Sequence, residues 1–330
     1  MTTSATPSQP SKQPLLVAVV LTFNSSDTII ASLQSLFDCA YQGLQIRVID
    51  NASSDGTVGL LRLTFPDLHI TVCNDNIGFA AGCNIGIQAA LDDGADYVFL
   101  LNPDAIVAPT MLGTLVDFME AHPKSGAVGP RTFSTTPTDC GRERLLYAGS
   151  FLGLLPLKQS VPGIGEVDDA LSCAPPLQVD CIWGHGILLR ATTCRAVGLF
   201  DPTFFMYYED LDLCKRMKSA GFELWCEPAA LMWHECLDGA RAIHSEAWRW
   251  RHKAHAMRIF HHKHYGAIVG RGMSLLTSLL EAAQLFRQGH LRALRHQLVA
   301  NTAEALGPTR KQTKALSSVG SPGKSGQCGK

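Results

Sequence analysis

The chain has 330 residues, with 28 Lys and Arg against 29 Asp and Glu, and 46% of its residues are hydrophobic. This composition excludes disorder for most of its length, and a net charge of −1 gives no overall electrostatic reason to bind nucleic acid. The length suits one large or two small domains with a sizeable core. The 11 cysteines show no CxxC spacing and several lie in apolar runs, so we expect buried thiols, a cytoplasmic location and no structural zinc.

The two ends of the chain differ in composition from the rest. Residues 1–14 are rich in Ser, Thr, Pro and Gln and lack the basic start and apolar stretch of a secretory signal, so we expect a disordered arm. Residues 307–330 are rich in Lys, Gly and Ser and predict a disordered tail. No apolar run is long enough to span a membrane, since the best candidate, 267–286, is interrupted by Arg271 and Glu281.

Apolar runs alternate with amphipathic stretches over residues 15–130, which is the pattern of βα units in a mostly parallel sheet. The predicted strands are 15–23, 44–50, 68–73, 97–101 and 126–130. The predicted helices are 29–37, 55–63, 81–91 and 111–121.

The second half of the chain is less regular. Residues 134–178 are rich in Pro, Gly and short breaks and predict an irregular insertion of the kind that covers a site. A helical extension is predicted over 241–306. Between the insertion and the extension we expect two strands at 179–190 and 222–226, separated by a helix at 207–220.

Polar and small residues follow four predicted strands at their carboxyl ends, where open α/β sheets bind ligands. A carboxylate such as Asp50 can accept from a base N–H, while Asn51 and Asp55 could hold ribose or cap the next helix. Asp104 could present a carboxylate to a divalent cation bound to phosphates, although Asn-Pro-Asp is also a common turn. These clusters comprise Thr22, Phe23 and Asn24; Asp50 and Asn51; Asn76, Gly78, Phe79, Gly82 and Asn84; Asn102 and Asp104.

The third cluster is a Gly- and Asn-rich entry into a helix, where small residues let a ligand approach the backbone closely. It is not the G-x-G-x-x-G fingerprint of dinucleotide-binding proteins, and Gly163-Ile164-Gly165 lies in the insertion with no strand before it. A dehydrogenase is therefore disfavoured.

Taken together, these motifs resemble the inverting family 2 glycosyltransferases with a GT-A fold, in the branch of rhamnosyl- and galactofuranosyltransferases, over about residues 15–265. The resemblance implies an α/β fold whose mostly parallel central sheet is flanked by helices and followed by a helical extension. Residues 15–240 would form the glycosyltransferase domain. Within it, 15–130 would be the nucleotide-binding half and 131–240 the acceptor and catalytic half.

The resemblance also implies roles for individual residues. The residues of the four clusters would line the nucleotide pocket, except Asp104. Asp104 would hold Mg²⁺ or Mn²⁺ together with His234. Asp210, in the acidic motif Glu209-Asp210-Leu211-Asp212, would be the general base, and Glu209 would contact the acceptor. Trp183, Gly184 and His185 would face the donor sugar and acceptor. Asp212 is better explained by the favourable negative charge at a helix N-terminus.

Three points stay open from the sequence. His185 stands where small residues are more usual, so it either touches the sugar or bonds a backbone carbonyl. The basic aromatic stretch 241–263 suggests peripheral membrane contact through 241–290, at the inner face of the cell membrane. A solvent-exposed helix with extended Lys and Arg side chains explains the same stretch. Seven of the 12 histidines lie at 234–264 and suggest a zinc site, but their spacing matches no tetrahedral zinc pattern.

The expected activity is metal-assisted inverting transfer of a sugar, such as rhamnose, in cell-surface polysaccharide synthesis. The donor would be a dTDP- or UDP-sugar, and the acceptor a hydroxyl of a glycan or polyprenyl-diphosphate-linked acceptor. One alternative is a non-catalytic nucleotide-sugar-binding or scaffold protein, motivated by Asn102 and His185. A nucleotidyltransferase ranks last, because its Gly-x-Gly-Thr-Arg loop is missing after the first strand.

Overall fold

A computed structural model describes residues 13–135, 143–152, 159–167, 174–234 and 245–305. Most of the predicted arm, all of the predicted tail, parts of the insertion and the start of the basic stretch lie outside these ranges.

The first half alternates strands and helices as the sequence predicts. Its elements, in chain order, are β1 (Leu16–Thr22), α1 (Ile29–Phe37), β2 (Leu44–Asp50), α2 (Thr57–Thr64), β3 (His69–Val72), α3 (Phe79–Asp92), β4 (Tyr97–Leu101), β5 (Ala105–Val107), α4 (Met111–Ala121) and β6 (Ser125–Ser134).

The second half contains short strands in the insertion, then a mixed α/β segment and three helices. Its elements are β7 (Leu145–Tyr147), β8 (Phe151–Leu152), β9 (Gln159–Ser160), β10 (Leu177–Gln178), β11 (Gly186–Arg190), α5 (Ala191–Val197), α6 (Glu209–Ser219), β12 (Glu223–His234), α7 (Glu246–Tyr265), α8 (Ala267–Arg287) and α9 (Leu291–Ala305).

The central sheet has the strand order β10-β12-β6-β11-β4-β1-β2-β3, with β5 and β7 paired at its side. The strands β4, β1, β2 and β3 run parallel, as predicted. The strand β11 runs antiparallel to both of its neighbours, β4 and β6, so the whole sheet is mixed. Hydrophobic patterning marks a strand as buried but does not encode its direction, and this explains the difference.

Four elements differ from the sequence prediction. The strand β12 continues eight residues beyond the predicted end at Cys226, because a register shift between Glu227 and Leu231 carries the chain past Pro228. The short strand β5 was not predicted. Only residues 186–190 of the predicted strand 179–190 are a β-strand, and the short helix α5 that follows them was missed.

Alternate residues of β1 point to opposite faces of the sheet and build two separate cores. Val17, Val19 and Leu21 pack with α3, α5 and α6 on one face. Leu16, Ala18 and Val20 pack with α1, α2 and α4 on the other. The thiols expected to be buried are buried, namely Cys73, Cys181, Cys194 and Cys226.

The helical extension is present in the described part of the chain as α7, α8 and α9. The aromatic ring of Phe260 in α7 lies 5.5 Å from that of Tyr208, so the extension packs on the segment just before α6. Within the described ranges, no helix has the length and apolar character needed to cross a membrane.

Candidate functional site

The parallel strands bring the predicted nucleotide residues to one edge of the sheet. Thr22 is paired in register with Asp50, and Asp50 with Val72. Backbone bonds continue this alignment past the strand ends, with Asn51 N–H donating to Thr22 O at 2.8 Å and Cys73 N–H to Asp50 O at 2.8 Å.

Asp50 is fully buried, and only one of its two carboxylate oxygens has a hydrogen-bond partner among the described residues. Its Oδ2 accepts from Ser53 N–H at 2.9 Å. Its Oδ1, like the hydroxyl of buried Thr22, has no hydrogen-bond partner among the described residues. An unpaired buried polar group costs about 1–3 kcal/mol, so this pair of oxygens suits a ligand that brings its own donor, such as a base N–H.

Three asparagines predicted to contact the nucleotide are bonded to the loops around it. Asn24 has a left-handed backbone (φ 50°), and its Oδ1 accepts from Ser54 N–H at 2.8 Å. Asn51 donates to Asn76 Oδ1 at 2.9 Å and accepts from Ile77 N–H at 3.0 Å. These side chains fix the loop shapes at the strand ends, while Phe23, directly before Asn24, is partly exposed.

The entry into α3 is packed against the loop that precedes α6. Gly78 has φ 88°, and a Cβ atom there would lie 2.5 Å from Phe205 O. The next residue, Phe79, donates its N–H to Phe205 O at 2.6 Å. A side chain at Gly78 would therefore push the two halves of the domain apart.

Two further residues of α3 have packing roles within the fold, and the nucleotide contact that the resemblance implied for them stays a prediction. A Cβ at Gly82 would lie 2.5 Å from Leu21 Cδ1, so glycine permits α3 to approach β1. Asn84 donates to Phe200 O at 2.8 Å and accepts from Phe200 N–H at 3.0 Å. Both hydrogen-bonding ends of the Asn84 amide are thereby used.

The predicted metal residues meet because the unpredicted strand β5 runs antiparallel to the end of β12, with Ala105 opposite His234. His234 Nε2 lies 3.2 Å from Asp104 Oδ1 and 3.1 Å from Asn102 Nδ2. The side chains of Asp104 and His234 are 17% and 18% exposed. A carboxylate and an imidazole therefore share one small, partly open site.

This donor set fits a divalent cation that is shared with a substrate. No group of three or more His, Cys, Asp or Glu side chains in the described ranges could hold a metal ion by itself. Mg²⁺ and similar ions are commonly held by one or two protein carboxylates together with substrate phosphates. Asp104 and His234 match that arrangement.

His185 lies between the metal pair and the rest of the site. Its Nε2 is 3.0 Å from Thr132 Oγ1, and its ring centroid is 5.0 Å from that of His234. Burial, and secondarily the neighbouring His234, lower the pKa of His185 well below its usual value, so it is neutral at pH 7. Its backbone carbonyl also accepts from Asn102 N–H at 3.1 Å, which supports the strand end carrying the metal residues.

Aromatic rings line the turn that precedes β11. The ring of Trp183 is 5.1 Å from that of Tyr147, whose hydroxyl donates to Cys181 O at 2.7 Å. Tyr147 was not predicted as a site residue. It lies in the insertion, where no periodicity or motif marks it, and only its aromatic character in a loop-rich segment could have drawn attention to it.

Asp210 is the second residue of α6, and both of its carboxylate oxygens accept hydrogen bonds. Its Oδ2 accepts from Gly184 N–H at 3.3 Å and its Oδ1 from Leu211 N–H at 2.7 Å. Burial raises the pKa of Asp210 above that of an ordinary aspartate. Tyr207 and Tyr208 just before it have φ of 74° and 66°, and such a strained turn persists only where the surrounding contacts enforce it.

Glu209 lies deeper than Asp210. It is 6% exposed, and its Oε2 is buried without a hydrogen-bond partner among the described residues, whereas Asp210 is partly exposed. Burial and then the Asp210 charge raise the pKa of Glu209 well above its usual value. Asp210 is therefore the carboxylate better placed to meet an acceptor, and an acceptor contact by Glu209 stays a prediction.

Asp212 has a structural role that the helix-terminus interpretation did not include. It is fully buried and accepts from Arg216 Nε, Lys263 Nζ and His264 Nε2, each at 2.8 Å. Lys263 also bonds Asp201 Oδ2 at 2.6 Å. These charges fasten the end of α7 to α6.

Comparison with known proteins places this geometry in a family. Residues 17–163 match the model of the family described as Glycosyl transferase family 2. An N-acetylglucosaminyl-diphospho-decaprenol L-rhamnosyltransferase of Mycobacterium tuberculosis is 26% identical over 232 residues, which cover 67% of this chain and 76% of that protein. A poly-beta-1,6-N-acetyl-D-glucosamine synthase of Staphylococcus aureus is 26% identical over 71% of this chain, which spans about half (53%) of that relative's length.

Two solved structures share the fold. A mannosyltransferase from Pyrobaculum calidifontis in complex with GDP-Man and Mn²⁺ matches 93% of this chain and 80% of its own, with TM-score 0.53 and 18% identity. GalNAc-T7 with UDP, GalNAc and Mn²⁺ matches 74% of this chain and 48% of its own, with TM-score 0.56 and 14% identity. The chain is therefore a glycosyltransferase that carries a family 2 domain on a GT-A fold.

Proposed function

We propose that this enzyme transfers a sugar from a nucleoside diphosphate to a hydroxyl of a glycan or polyprenyl-diphosphate-linked acceptor, with inversion and with Asp210 as the general base. The observation that carries the proposal is the turn 183–185. Gly184 in this turn bonds Asp210, and His185 contacts His234 of the metal pair. One turn thus connects Asp210, the proposed general base, to the residues that would bind the metal ion and the leaving diphosphate.

The nucleotide would lie along the carboxyl ends of β1 and β2. Asp50 Oδ1 and Thr22 Oγ1 are buried acceptors without partners in the described chain and would receive donors from the base. Phe23 and the loops ordered by Asn24, Asn51 and Asn76 would form the walls. The identity of the nucleobase, uracil or thymine, is part of the proposal and rests on the resemblance to rhamnosyl- and galactofuranosyltransferases; one structural neighbour was solved with UDP.

Asp104 and His234 would hold Mn²⁺ or Mg²⁺, with Asn102 beside them. When bound, such an ion neutralises the negative charge that develops on a departing diphosphate. His185 stays neutral and so adds no positive charge that would repel the ion. Two of the structural neighbours were solved with Mn²⁺, which is consistent with this use of the site.

The acceptor hydroxyl oxygen would attack the anomeric carbon from the face opposite the diphosphate. The new carbon–oxygen bond forms as the bond to the diphosphate oxygen breaks, and the hydroxyl proton passes to an Asp210 carboxylate oxygen. Backbone N–H groups from Gly184 and Leu211 orient that carboxylate. Its raised pKa makes it a stronger base than an exposed aspartate.

Rhamnose is the proposed sugar because one relative is named as a rhamnosyltransferase, and a polyprenyl-diphosphate acceptor is proposed because the same name includes diphospho-decaprenol. Trp183 and Tyr147 would supply an apolar face for a sugar ring. The alternative of a non-catalytic scaffold is not retained, since the family model and the relatives are those of transferases.

The test is calorimetric titration of the purified chain with UDP, dTDP and GDP, each with and without Mn²⁺, followed by transfer assays with the matching sugars. We expect one nucleotide to bind, and more tightly with Mn²⁺ than without it. Asp104→Asn and His234→Ala should remove the Mn²⁺ effect while leaving the weaker metal-free binding. Absence of binding by every nucleotide would contradict the proposal.

A further inference from the structure

The helix α8 packs with its polar side inward and its apolar side outward. Among its inward residues, Gly270 and Thr277 are buried, and Ser274 Oγ lies 3.0 Å from His261 Nδ1. A Cβ at Gly270 would lie 2.6 Å from His261 O, so the contact with α7 is close. Soluble helices normally bury their apolar stripe, so this orientation is inverted.

Glu281, the single acidic residue of α8, also lies on the inward side of this helix. Glu281 pairs with Lys253 of α7 at 2.8 Å, and Gln297 of α9 donates to it at 3.2 Å. Gln297 also donates to Ser278 O at 3.0 Å. Hydrogen bonds and an ion pair thus fix which side of α8 faces its neighbours.

The outward side of α8 is a continuous apolar face about 30 Å long. Its large side chains recur at helical spacing, so they lie along one stripe. Ile268 is 88% exposed, Leu275 64% and Phe286 67%. The apolar face, which we define by its large exposed residues, comprises Ile268, Val269, Leu275, Leu276, Leu279, Leu280 and Phe286.

Positive charge surrounds this apolar face. Residues 245–305 contain nine Lys and Arg against three Glu, although the whole chain has a net charge of −1. Arg271 and Arg287 are exposed at the two ends of the apolar face, and Arg292 and Arg295 are exposed on α9. An apolar stripe bordered by arginines complements a surface that is apolar below and anionic above.

We propose that the apolar face of α8 docks on the surface of a bilayer that contains anionic lipid. A second copy of this chain suits the face less well, because a two-fold contact would bring the arginines of both copies together. The terminal segments 1–12 and 306–330 are poor in large apolar residues, so neither matches the face in composition.

This narrows the membrane contact, which the sequence suggested for 241–290, to α8 and leaves the basic aromatic stretch out of it. Trp248 stacks on His252 at 3.7 Å and lies 6.0 Å from Phe205, against the loop before α6. The cation of Lys253 is paired with Glu281. Trp248 and Lys253, two of the residues that suggested a membrane contact, are thus used in joining α7 to its neighbours.

The docking face is linked to the catalytic half through α7. Phe205, which contacts Trp248, also receives the N–H of Phe79 at the nucleotide edge. A bilayer under α8 would therefore hold the site near the membrane surface. The membrane contact of the apolar face does not depend on the proposed sugar and acceptor.

The test is co-sedimentation of the full chain with vesicles of phosphatidylcholine alone or mixed with phosphatidylglycerol. We expect binding to the mixed vesicles, reduced at least about tenfold by L275Q/L279Q/F286Q, since each buried apolar side chain contributes about 1.5–3 kcal/mol in full burial. The variant L63Q, at a leucine on α2 that is even more exposed (83%), should bind like the wild type. R271Q/R287Q should lose roughly tenfold in binding to the mixed vesicles and little with phosphatidylcholine alone.

Two results would overturn the proposal. One is failure of the wild type to bind mixed vesicles, or binding by the triple variant or by R271Q/R287Q that equals that of the wild type. The other is a stable dimer in sedimentation analysis that L275Q/L279Q/F286Q dissociates, with no vesicle binding, which would assign the face to a second copy. Circular dichroism of each variant checks folding, and nucleotide titration of the same samples separates this result from the donor proposal.

Discussion

At the residue scale, the unpaired oxygen of Asp50 distinguishes a ligand-binding side chain from its structural neighbours. Asp50→Asn replaces one acceptor by a donor but keeps the shape and one oxygen for Ser53 N–H. We expect nucleotide affinity to fall roughly tenfold to a hundredfold, the usual range for a lost hydrogen bond to a charged group. Calorimetric titration measures this directly.

Asn84→Ala is the matched control for Asp50→Asn. Its amide is bonded on both sides to the backbone of Phe200, so removal should lower the melting temperature and leave nucleotide affinity within about twofold. If Asn84→Ala weakened binding as much as Asp50→Asn at equal stability, the nucleotide would reach further along α3 than the geometry indicates.

The substitution Asp210→Asn tests Asp210 as the general base. The amide keeps the volume of the carboxylate but cannot take the acceptor proton, so kcat should fall at least about a hundredfold. Donor affinity should stay near the wild-type value, because Asp210 bonds only to Gly184 and Leu211 in the described chain. A variant that keeps more than about a tenth of the wild-type rate would exclude Asp210 as the base.

The pH profile of the wild type gives an independent check. Asp210 works only when deprotonated, and burial raises its pKa. Activity should therefore fall on the acidic side, with a midpoint above the ordinary aspartate value of about 4. Glu209 adjoins it, so the midpoint belongs to the pair. An acidic limb at or below about pH 4 would contradict a raised pKa.

At the element scale, the charges around Asp212 explain how α7 is fixed to α6. Burial alone would raise the pKa of Asp212, but hydrogen bonds from His264, Lys263 and Arg216 lower it to about 2. Because the folded-state pKa is below the unfolded value, the stabilisation is complete above about pH 4 and is lost as the pH falls towards 2. Its size is about 2 kcal/mol.

Asp212→Asn should therefore lower the free energy of unfolding by about 2 kcal/mol at neutral pH and flatten its decline below about pH 4. Denaturant unfolding across this pH range measures both effects. Asp93→Asn is a control, since it breaks the exposed pair with Arg47 and should change stability by less than about 1 kcal/mol. Equal effects of the two substitutions would show that the Asp212 network is not what holds α7.

The sequence predicted the strands and helices of the first half because each is a local pattern. The assembly of the site depended on pairings that no local pattern encodes. Ala105 pairs with His234 through β5, a strand of three residues that is too short to show periodicity. Pro228 hid the second part of β12, because proline inside a strand normally marks its end.

The same limit applies to side-chain roles. Asp50 and Asp104 were predicted from residue type and place at a strand end, and His234 from the family resemblance; the structure brings Asp104 and His234 together. Asn84 has an equally suitable residue type, but its partner Phe200 is 116 positions away. Only the fold shows that this amide is already used.

At the scale of the whole molecule, charge and hydrophobicity are separated along the chain. The nine cations of 245–305 are balanced by an acidic excess in the remaining sequence. The extension is joined to the catalytic half by the Asp212 network and by the contact of Phe260 with Tyr208. A membrane under α8 would consequently position the strained turn before Asp210 as well as the helices themselves.

This coupling predicts a difference between acceptors. With a polyprenyl-diphosphate-linked acceptor in mixed vesicles, L275Q/L279Q/F286Q should raise KM at least about tenfold, because the enzyme no longer concentrates at the surface that holds the acceptor. With a water-soluble acceptor analogue, the same variant should match L63Q in both kcat and KM. Steady-state kinetics with the two acceptors measure the contrast. An equal loss with both would mean that the substitutions disturb the catalytic half, since a surface effect cannot act on an acceptor that is free in solution.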